Sequence, residues 1–273
     1  MTPLLVVAWI VAAACCLTWV ASLVTRDTSW VDRIWSIVPV GYLWVFAGFA
    51  GLADARLTVM AVLVTLWGAR LTFNFARKGG YSGVEDYRWA VLRQRMRPWQ
   101  FQVFNLFFIV LYQNVLLALI TLPALTAFEH RGTPFGILDG LVAAVFLALL
   151  AGETVADQQQ WRFQAWKKAE LAAGRVPDPR FLQSGLFRYS RHPNFFFEQA
   201  QWWALFLFGA IAAGSLAQWT VLGALLLTVL FIGSTAFTER ITLGRYPEYA
   251  DYQARTSAVV PWPPRPAPKA ARA

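Results

Sequence analysis

Residues 4–24 read LLVVAWIVAAACCLTWVASLV, an unbroken apolar run with no charged side chain. At 1.5 Å per residue such a run makes a helix of about 30 Å, the thickness of a bilayer's hydrocarbon core. Inside lipid every backbone N–H and C=O has to pair within its own segment, which selects a helix. Six further runs of similar character follow, at 34–52, 57–75, 101–128, 135–154, 195–213 and 216–237. The short alternating segments of a membrane β-barrel are absent. Composition agrees: 58% of the 273 residues are hydrophobic and 14% are charged, against about 45–50% and 25% in soluble domains. The expected fold is an all-α integral membrane protein, a bundle of about seven transmembrane helices.

No charged segment precedes the first run and no polar cleavage stretch follows it, so it reads as a retained helix rather than a signal peptide. With seven crossings, all of the 24 basic residues except Arg56, Arg70 and Arg131 fall on one side. The positive-inside rule puts that side and the C-terminus in the cytoplasm, and the N-terminus outside. The net charge of +9 therefore serves topology, with an anionic cofactor as its second use, and gives no reason to expect nucleic acid. Nothing in the pattern calls for an obligate protein partner; membrane lipids and a hydrophobic small-molecule or lipid substrate are the expected company.

Cys15 and Cys16 lie inside the first run and read as small core residues. His130 and His192 are the only histidines, so no metal site is expected. Trp30, Trp35, Trp99, Trp202 and Trp203 sit at expected membrane boundaries and read as an interfacial belt. Residues 1–262 form one transmembrane domain without internal repeat or linker. Residues 263–273, within PWPPRPAPKAARA, are a Pro/Ala-rich basic tail.

Polar groups inside apolar runs are costly and mark candidate sites. Arg70 and Asn74 are one turn apart on the third span. Snorkelling to the interface and ligand contact both account for Arg70. Glu153 and Asp157 have the same spacing at the end of the fifth span, either as a polar helix end or as acceptors for ligand hydroxyls. Gln113 and Asn114, in the fourth span, suit hydrogen bonds between helices. Tyr42 and Tyr112 carry hydroxyls at depth that suit donation to a substrate carbonyl, or satisfaction within the core. Asp32 opens the second span, and GVEDYRW at 83–89 suits a lid or an interfacial helix.

The densest polar stretch is RYSRHPNFFFE, residues 188–198. Pro193 keeps His192 extended and can begin a helix. Arg188, Tyr189, Arg191 and His192 then fall in a turn, and Asn194 and Glu198 lie one turn apart on the helix that follows. Helix N-termini and guanidinium groups both favour anions, so the stretch reads as a ligand site.

These residues carry a resemblance. GLFRYSRHPNFFFE at 185–198, Glu239-Arg240 and RYPEYADYQARTSAVVPW at 245–262 resemble the C-terminal signature of membrane steroid 5-alpha-reductases and sterol reductases. DRIWSIVP at 32–39 and EDYRW at 85–89 resemble bacterial relatives of that family. The resemblance implies a seven-helix bundle in the bacterial inner membrane with NADPH bound at its cytoplasmic end. Residues 1–128 would enclose the substrate and 135–262 the cofactor. Asn194, Glu198 and Asp157 match cofactor contacts, and Arg70 and Asn74 do so more loosely. Arg188, Tyr189, Arg191, His192, Arg240, Tyr249 and Tyr252 lie in the shared C-terminal pattern. One departure stands out. The steroid enzymes use a Glu near the start of the second helix and a Tyr in the third. Here the second helix starts Asp32-Arg33, and the third span has no Tyr, with Trp67 near that place. Asp32, Tyr42 and Tyr112 are the remaining candidates for catalysis.

The function expected is an NADPH-dependent reductase of an activated double bond in a lipid-like substrate such as a steroid 3-oxo-4-ene. The runner-up is an S-adenosylmethionine-dependent methyltransferase of the isoprenylcysteine or phospholipid type, whose members share an RHP…E pattern. A sulfonium cofactor gives the arginines less to bind. A non-enzymatic lipid-binding protein is the third reading, and it leaves the 188–198 cluster without a purpose.

Overall fold

The computed structural model describes residues 1–266; the remainder of the basic tail, 267–273, lies outside the described residues. The chain is helical throughout: among the described residues the only β-pairing is one parallel bridge between Ser190 and Ser257. Two compact units divide it. The first comprises Met1–Leu147 and Trp202–Leu227, the second Ala148–Gln201 and the chain from Thr228 to residue 266.

Five helical stretches are long and apolar enough to cross a membrane: Pro3–Thr25, Ala55–Arg77, Pro98–Glu129, Ile137–Ala172 and Trp219–Arg245. α1 (Pro3–Thr25) begins where Thr2 accepts the Leu5 N–H at 3.3 Å and Pro3 fills a position that needs no donor. It ends as Arg26 turns left-handed at φ 57°. The second expected run is not one helix. α2 (Trp30–Ile34) and α3 (Val38–Phe49) flank a break at 35–37. Pro39 has no N–H to continue the ladder there, and Ser36 is instead hydrogen-bonded to Thr72 at 2.7 Å. α4 (Ala55–Arg77) is capped by Asp54, which accepts the Leu57 N–H at 2.9 Å.

The polar loop that follows carries one short helix, α5 (Tyr87–Arg95), and α6 (Pro98–Phe104) opens the next apolar stretch. α6 runs into a π-helical stretch, Asn105–Tyr112, and then α7 (Gln113–Leu119) and α8 (Pro123–Glu129). α9 (Ile137–Ala172) has 36 residues, about 54 Å at the helical rise. That exceeds the roughly 30 Å of hydrocarbon, so its polar end from Asp157 onward projects past the apolar layer. α10 (Pro193–Ala213) has 21 residues, enough to cross, but Asn194, Glu198, Gln199 and Gln201 make its first half polar. α11 (Leu222–Arg245) and α12 (Tyr249–Arg255) complete the chain.

The first unit packs α3 on α4 around Tyr42, Phe46, Leu57, Met60 and Trp67. Trp202, expected at a membrane boundary, is buried and meets Trp67 edge-on at 4.9 Å. Small residues let backbones approach: a Cβ on Gly223 would meet the Leu119 carbonyl oxygen at 2.3 Å, and one on Gly209 the Pro123 oxygen at 2.7 Å. Asn114 donates to the Thr18 hydroxyl at 3.2 Å and Asn105 to that of Ser22 at 3.0 Å, so two amides tie α1 to the π-helical stretch and α7.

One buried ion pair links the starts of α4 and α9. Arg56 donates from Nε and Nη2 to the two Asp139 oxygens at 2.6 and 2.9 Å, and from Nη1 to the Thr133 hydroxyl at 2.8 Å. Both side chains are sealed from solvent, so each charge needs the other.

Candidate functional site

The second unit carries the densest set of interacting ionisable groups. Leu186 N–H donates to Gln159 of α9 at 2.9 Å, and Gly185 takes φ +63° where a Cβ would strike that same amide. The chain then makes one turn of 3₁₀ helix, Gly185–Arg188, and runs alongside the C-terminal segment. Arg191 N–H donates to Ser257 O at 2.8 Å, His192 N–H to Ala258 O at 3.0 Å, and Trp262 N–H to Tyr189 O at 2.9 Å. The Ser190 hydroxyl adds a bond to Val259 O at 2.7 Å. Residues 189–192 are thus strapped to 257–262 by main-chain bonds, which leaves their side chains free to point elsewhere.

The Arg191 and His192 side chains converge on Glu239 of α11. Its Oε1 accepts from Arg191 Nε at 2.6 Å, His192 Nε2 at 3.0 Å and the Tyr249 hydroxyl at 3.4 Å. Its Oε2 accepts from Arg191 Nη2 at 2.9 Å and Gln253 Nε2 at 2.8 Å. A carboxylate only accepts, so His192 carries its proton on Nε2. The third guanidinium nitrogen of Arg191 donates to Gln253 O at 3.1 Å and to Thr256 O. Burial alone would lower the pKa of Arg191, but the bonds and charge of Glu239 outweigh it and hold the group above its ordinary value.

Tyr249 and Tyr252 of α12 are buried, and burial pushes both phenols up. Tyr252 donates to Phe187 O, and Phe181 packs on both rings. These two tyrosines therefore build the wall of the site. On the solvent side, Lys167 of α9 donates to the Tyr246 hydroxyl at 3.0 Å, which draws that phenol below its usual range.

Beside Arg191 lies a pocket of about 450 Å³, lined by Gln253, Arg255, Ser257, Trp262 and Arg265 among others. Arg191 is neutralised by Glu239, whereas neither Arg255 nor Arg265 has an acidic partner among the described residues. The donors around this pocket fit an anionic group of phosphate type.

The other sequence candidates are distributed as follows. Asp157 and Glu198 are buried in the second unit and Asn194 is half-buried there, one turn before Glu198 on α10. Arg188, Tyr189 and Arg240 are exposed. Arg70 and Asn74 are in the first unit; Asn74 is buried and its oxygen accepts from Arg77 at 2.9 and 2.7 Å. The three catalytic candidates are also in the first unit, but no hydrogen bond joins any two of them. Asp32 accepts from Trp89 Nε1 at 3.2 Å. Tyr112 donates to Leu226 O at 3.3 Å. Tyr42 is fully buried, and its hydroxyl has no partner among the described residues.

Two features were only partly legible in the sequence. Glu239 is the hub of the cluster, and Arg255 lines the pocket; both fall in the quoted motifs at Glu239-Arg240 and 245–262, but those motifs gave neither residue a role. Arg265 lines the pocket from beyond the motif. A further set of contacts joins the segment just before the 32–39 motif to the start of the 85–89 motif. Thr28 donates twice to Glu85 at 2.9 and 2.7 Å, Asp86 N–H donates to Ser29 at 3.0 Å, and Arg33 pairs with Asp27 at 2.5 Å. The segment expected as a lid is therefore fastened at its acidic end.

An uncharacterised protein of the fission yeast Schizosaccharomyces pombe is 40% identical over 261 residues, covering 89% of this chain and 75% of its own length. No solved structure matches. The model of the family described as "Protein of unknown function (DUF1295)" matches residues 18–256, which takes in the Arg191–Glu239 cluster and stops just before the strapping segment 257–262. The chain belongs to the DUF1295 family.

Proposed function

We propose that this protein is a membrane-embedded NADPH-dependent reductase, transferring a hydride to an activated double bond of a lipid-like substrate such as a steroid 3-oxo-4-ene. The observation that carries the reading is the pocket beside Arg191, with two un-neutralised guanidinium groups and an exposed indole on its lining. A phosphate-bearing dinucleotide uses all three, whereas the sulfonium of S-adenosylmethionine has no need of the arginines.

In this reading the five apolar stretches are joined by α10 and by the broken α2–α3 pair to make seven crossings, with the N-terminus outside and the pocket facing the cytoplasm. Arg255, Arg265 and Trp262 would hold one end of the cofactor, and Asn194, Glu198 and Asp157 are further proposed contacts. NADPH, when bound, supplies the hydride. Tyr42 offers the best donor for a substrate carbonyl oxygen, because its buried hydroxyl has no hydrogen-bond partner among the described residues. Tyr112 is already committed to Leu226 O. Asp32, which accepts the Trp89 indole N–H, is the candidate to supply a proton.

The test is ligand-dependent melting of the purified protein in lipid nanodiscs with NADPH, NADH or S-adenosylmethionine. A ligand at a hundred times its Kd stabilises by about 2.7 kcal/mol. NADPH should raise the melting temperature. A rise with the methyl donor alone assigns the protein to methyl transfer, and a flat response to all of them removes the reductase reading.

A further inference from the structure

Arg191 is the arginine that a motif reader would assign to a phosphate, yet its charge is spent internally. It makes a two-pronged pair with Glu239 and its remaining nitrogen is held by two carbonyls. The net charge at the pocket therefore comes from Arg255 and Arg265. Arg265 N–H donates to Arg255 O at 2.8 Å, which sets the two residues side by side. Arg255 uses only Nε internally, on Asp251 O at 3.2 Å. Two guanidinium groups on one wall supply two positive charges and several free N–H donors. The complement is a dianion with three terminal oxygens, a phosphomonoester, whose second ionisation is near pH 6. A phosphodiester or pyrophosphate bears less charge per phosphorus.

Trp262 stands at the same pocket, 68% exposed, although its backbone is fixed by the bond to Tyr189 O. A large uncovered indole on an anchored main chain is suited to stacking a planar ring.

We infer that Arg255, Arg265 and Trp262 form a clamp for an aromatic nucleoside phosphomonoester. The inference rests on the reductase reading, within which it assigns the clamp to the 2′-phosphate and adenine of NADPH. The clamp selects NADPH over NADH, and Arg191 does not.

The experiment measures dissociation constants of NADPH, NADH and adenosine 2′-monophosphate by calorimetry, for the wild-type protein and for Arg255→Ala, Arg265→Ala and Trp262→Ala in nanodiscs. A parallel series adds phosphatidic acid, a phosphomonoester lipid, to the disc. A charge-assisted contact is worth about 1.5–3 kcal/mol, so each arginine variant should bind NADPH about 10- to 100-fold more weakly while NADH is unchanged. Trp262→Ala should weaken both dinucleotides and Trp262→Phe should recover part of the loss. Preference for NADPH that survives in both arginine variants overturns the clamp and leaves the reductase reading standing. Binding of adenosine 2′-monophosphate that the arginine variants lose, in a protein that ignores NADPH, keeps the clamp and removes the reductase reading. Wild-type protein that binds neither overturns both. Phosphatidic acid that competes with the nucleotide extends the clamp to the shared phosphomonoester; phosphatidic acid bound in place of any nucleotide overturns the nucleoside assignment.

Discussion

Replacing Glu239 by alanine probes the cluster at its centre. The Arg191 and Glu239 side chains are each 10% exposed, so the variant leaves a nearly buried guanidinium without its counter-charge. Breaking a buried ion pair from one side costs about 3–5 kcal/mol. Arg191 keeps its bonds to Gln253 O and Thr256 O, which places the cost near the lower end, about 3 kcal/mol. For chains of this size about 1 kcal/mol moves the melting temperature by roughly 2–4 °C, so a fall of about 6–12 °C is expected. Intrinsic-fluorescence melting in detergent micelles reads it directly. The double variant Glu239→Leu with Arg191→Met removes both charges and should recover part of the loss, because it leaves no unpaired charge, only the neutral donors of Tyr249 and Gln253, the His192 ring and two carbonyls. A single variant that melts within about 2 °C of wild type, or a double variant no better than the single, refutes the account of Glu239 as the counter-charge that Arg191 requires.

Two further outcomes follow from geometry and titration. Gly223→Ala drives a methyl into the Leu119 backbone at 2.3 Å and should destabilise by about 1–3 kcal/mol, whereas Gly41→Ala meets open space and should melt as wild type does; equal melting of the two variants contradicts the close approach. Burial would raise the Glu85 carboxyl, but hydrogen bonds from Arg93 and Thr28 outweigh it and hold it below its ordinary value of 4.5. Its contribution is then fully present above pH 4.5 and is lost as pH falls through the lower folded value. The melting difference between wild type and Glu85→Gln should therefore shrink on acidification below that point, and a difference that grows instead reverses the sign of the argument.

The apolar runs were legible because bilayer thickness and backbone pairing leave the chain little choice. The run at 4–24 became Pro3–Thr25 and the run at 57–75 became Ala55–Arg77. What local pattern does not encode is where a tertiary contact competes with the helix. The run at 34–52 breaks at 35–37, ahead of Pro39, where the Ser36 hydroxyl meets that of Thr72, and the π-helical stretch at Asn105–Tyr112 widens a segment that reads as ordinary helix. At the site, Arg191 and His192 were conspicuous because charge next to an apolar run is costly. Their partner Glu239 lies 48 and 47 positions away, and no spacing rule links residues at that separation. Tyr249 and Tyr252 showed the converse: the motif marked them, while burial reveals that they also hold the wall together.

The Arg56–Asp139 pair constrains how the chain is threaded. It fastens the first turn of one long helix to the first turn of another, 83 residues later. Two helix starts held at the same depth must lie on the same face of a membrane, so the chain between them crosses an even number of times. α4 and the Pro98–Glu129 stretch supply two such passages. Reporter tags inserted at positions 53 and 132 should therefore always share a compartment, whatever the absolute orientation of the protein.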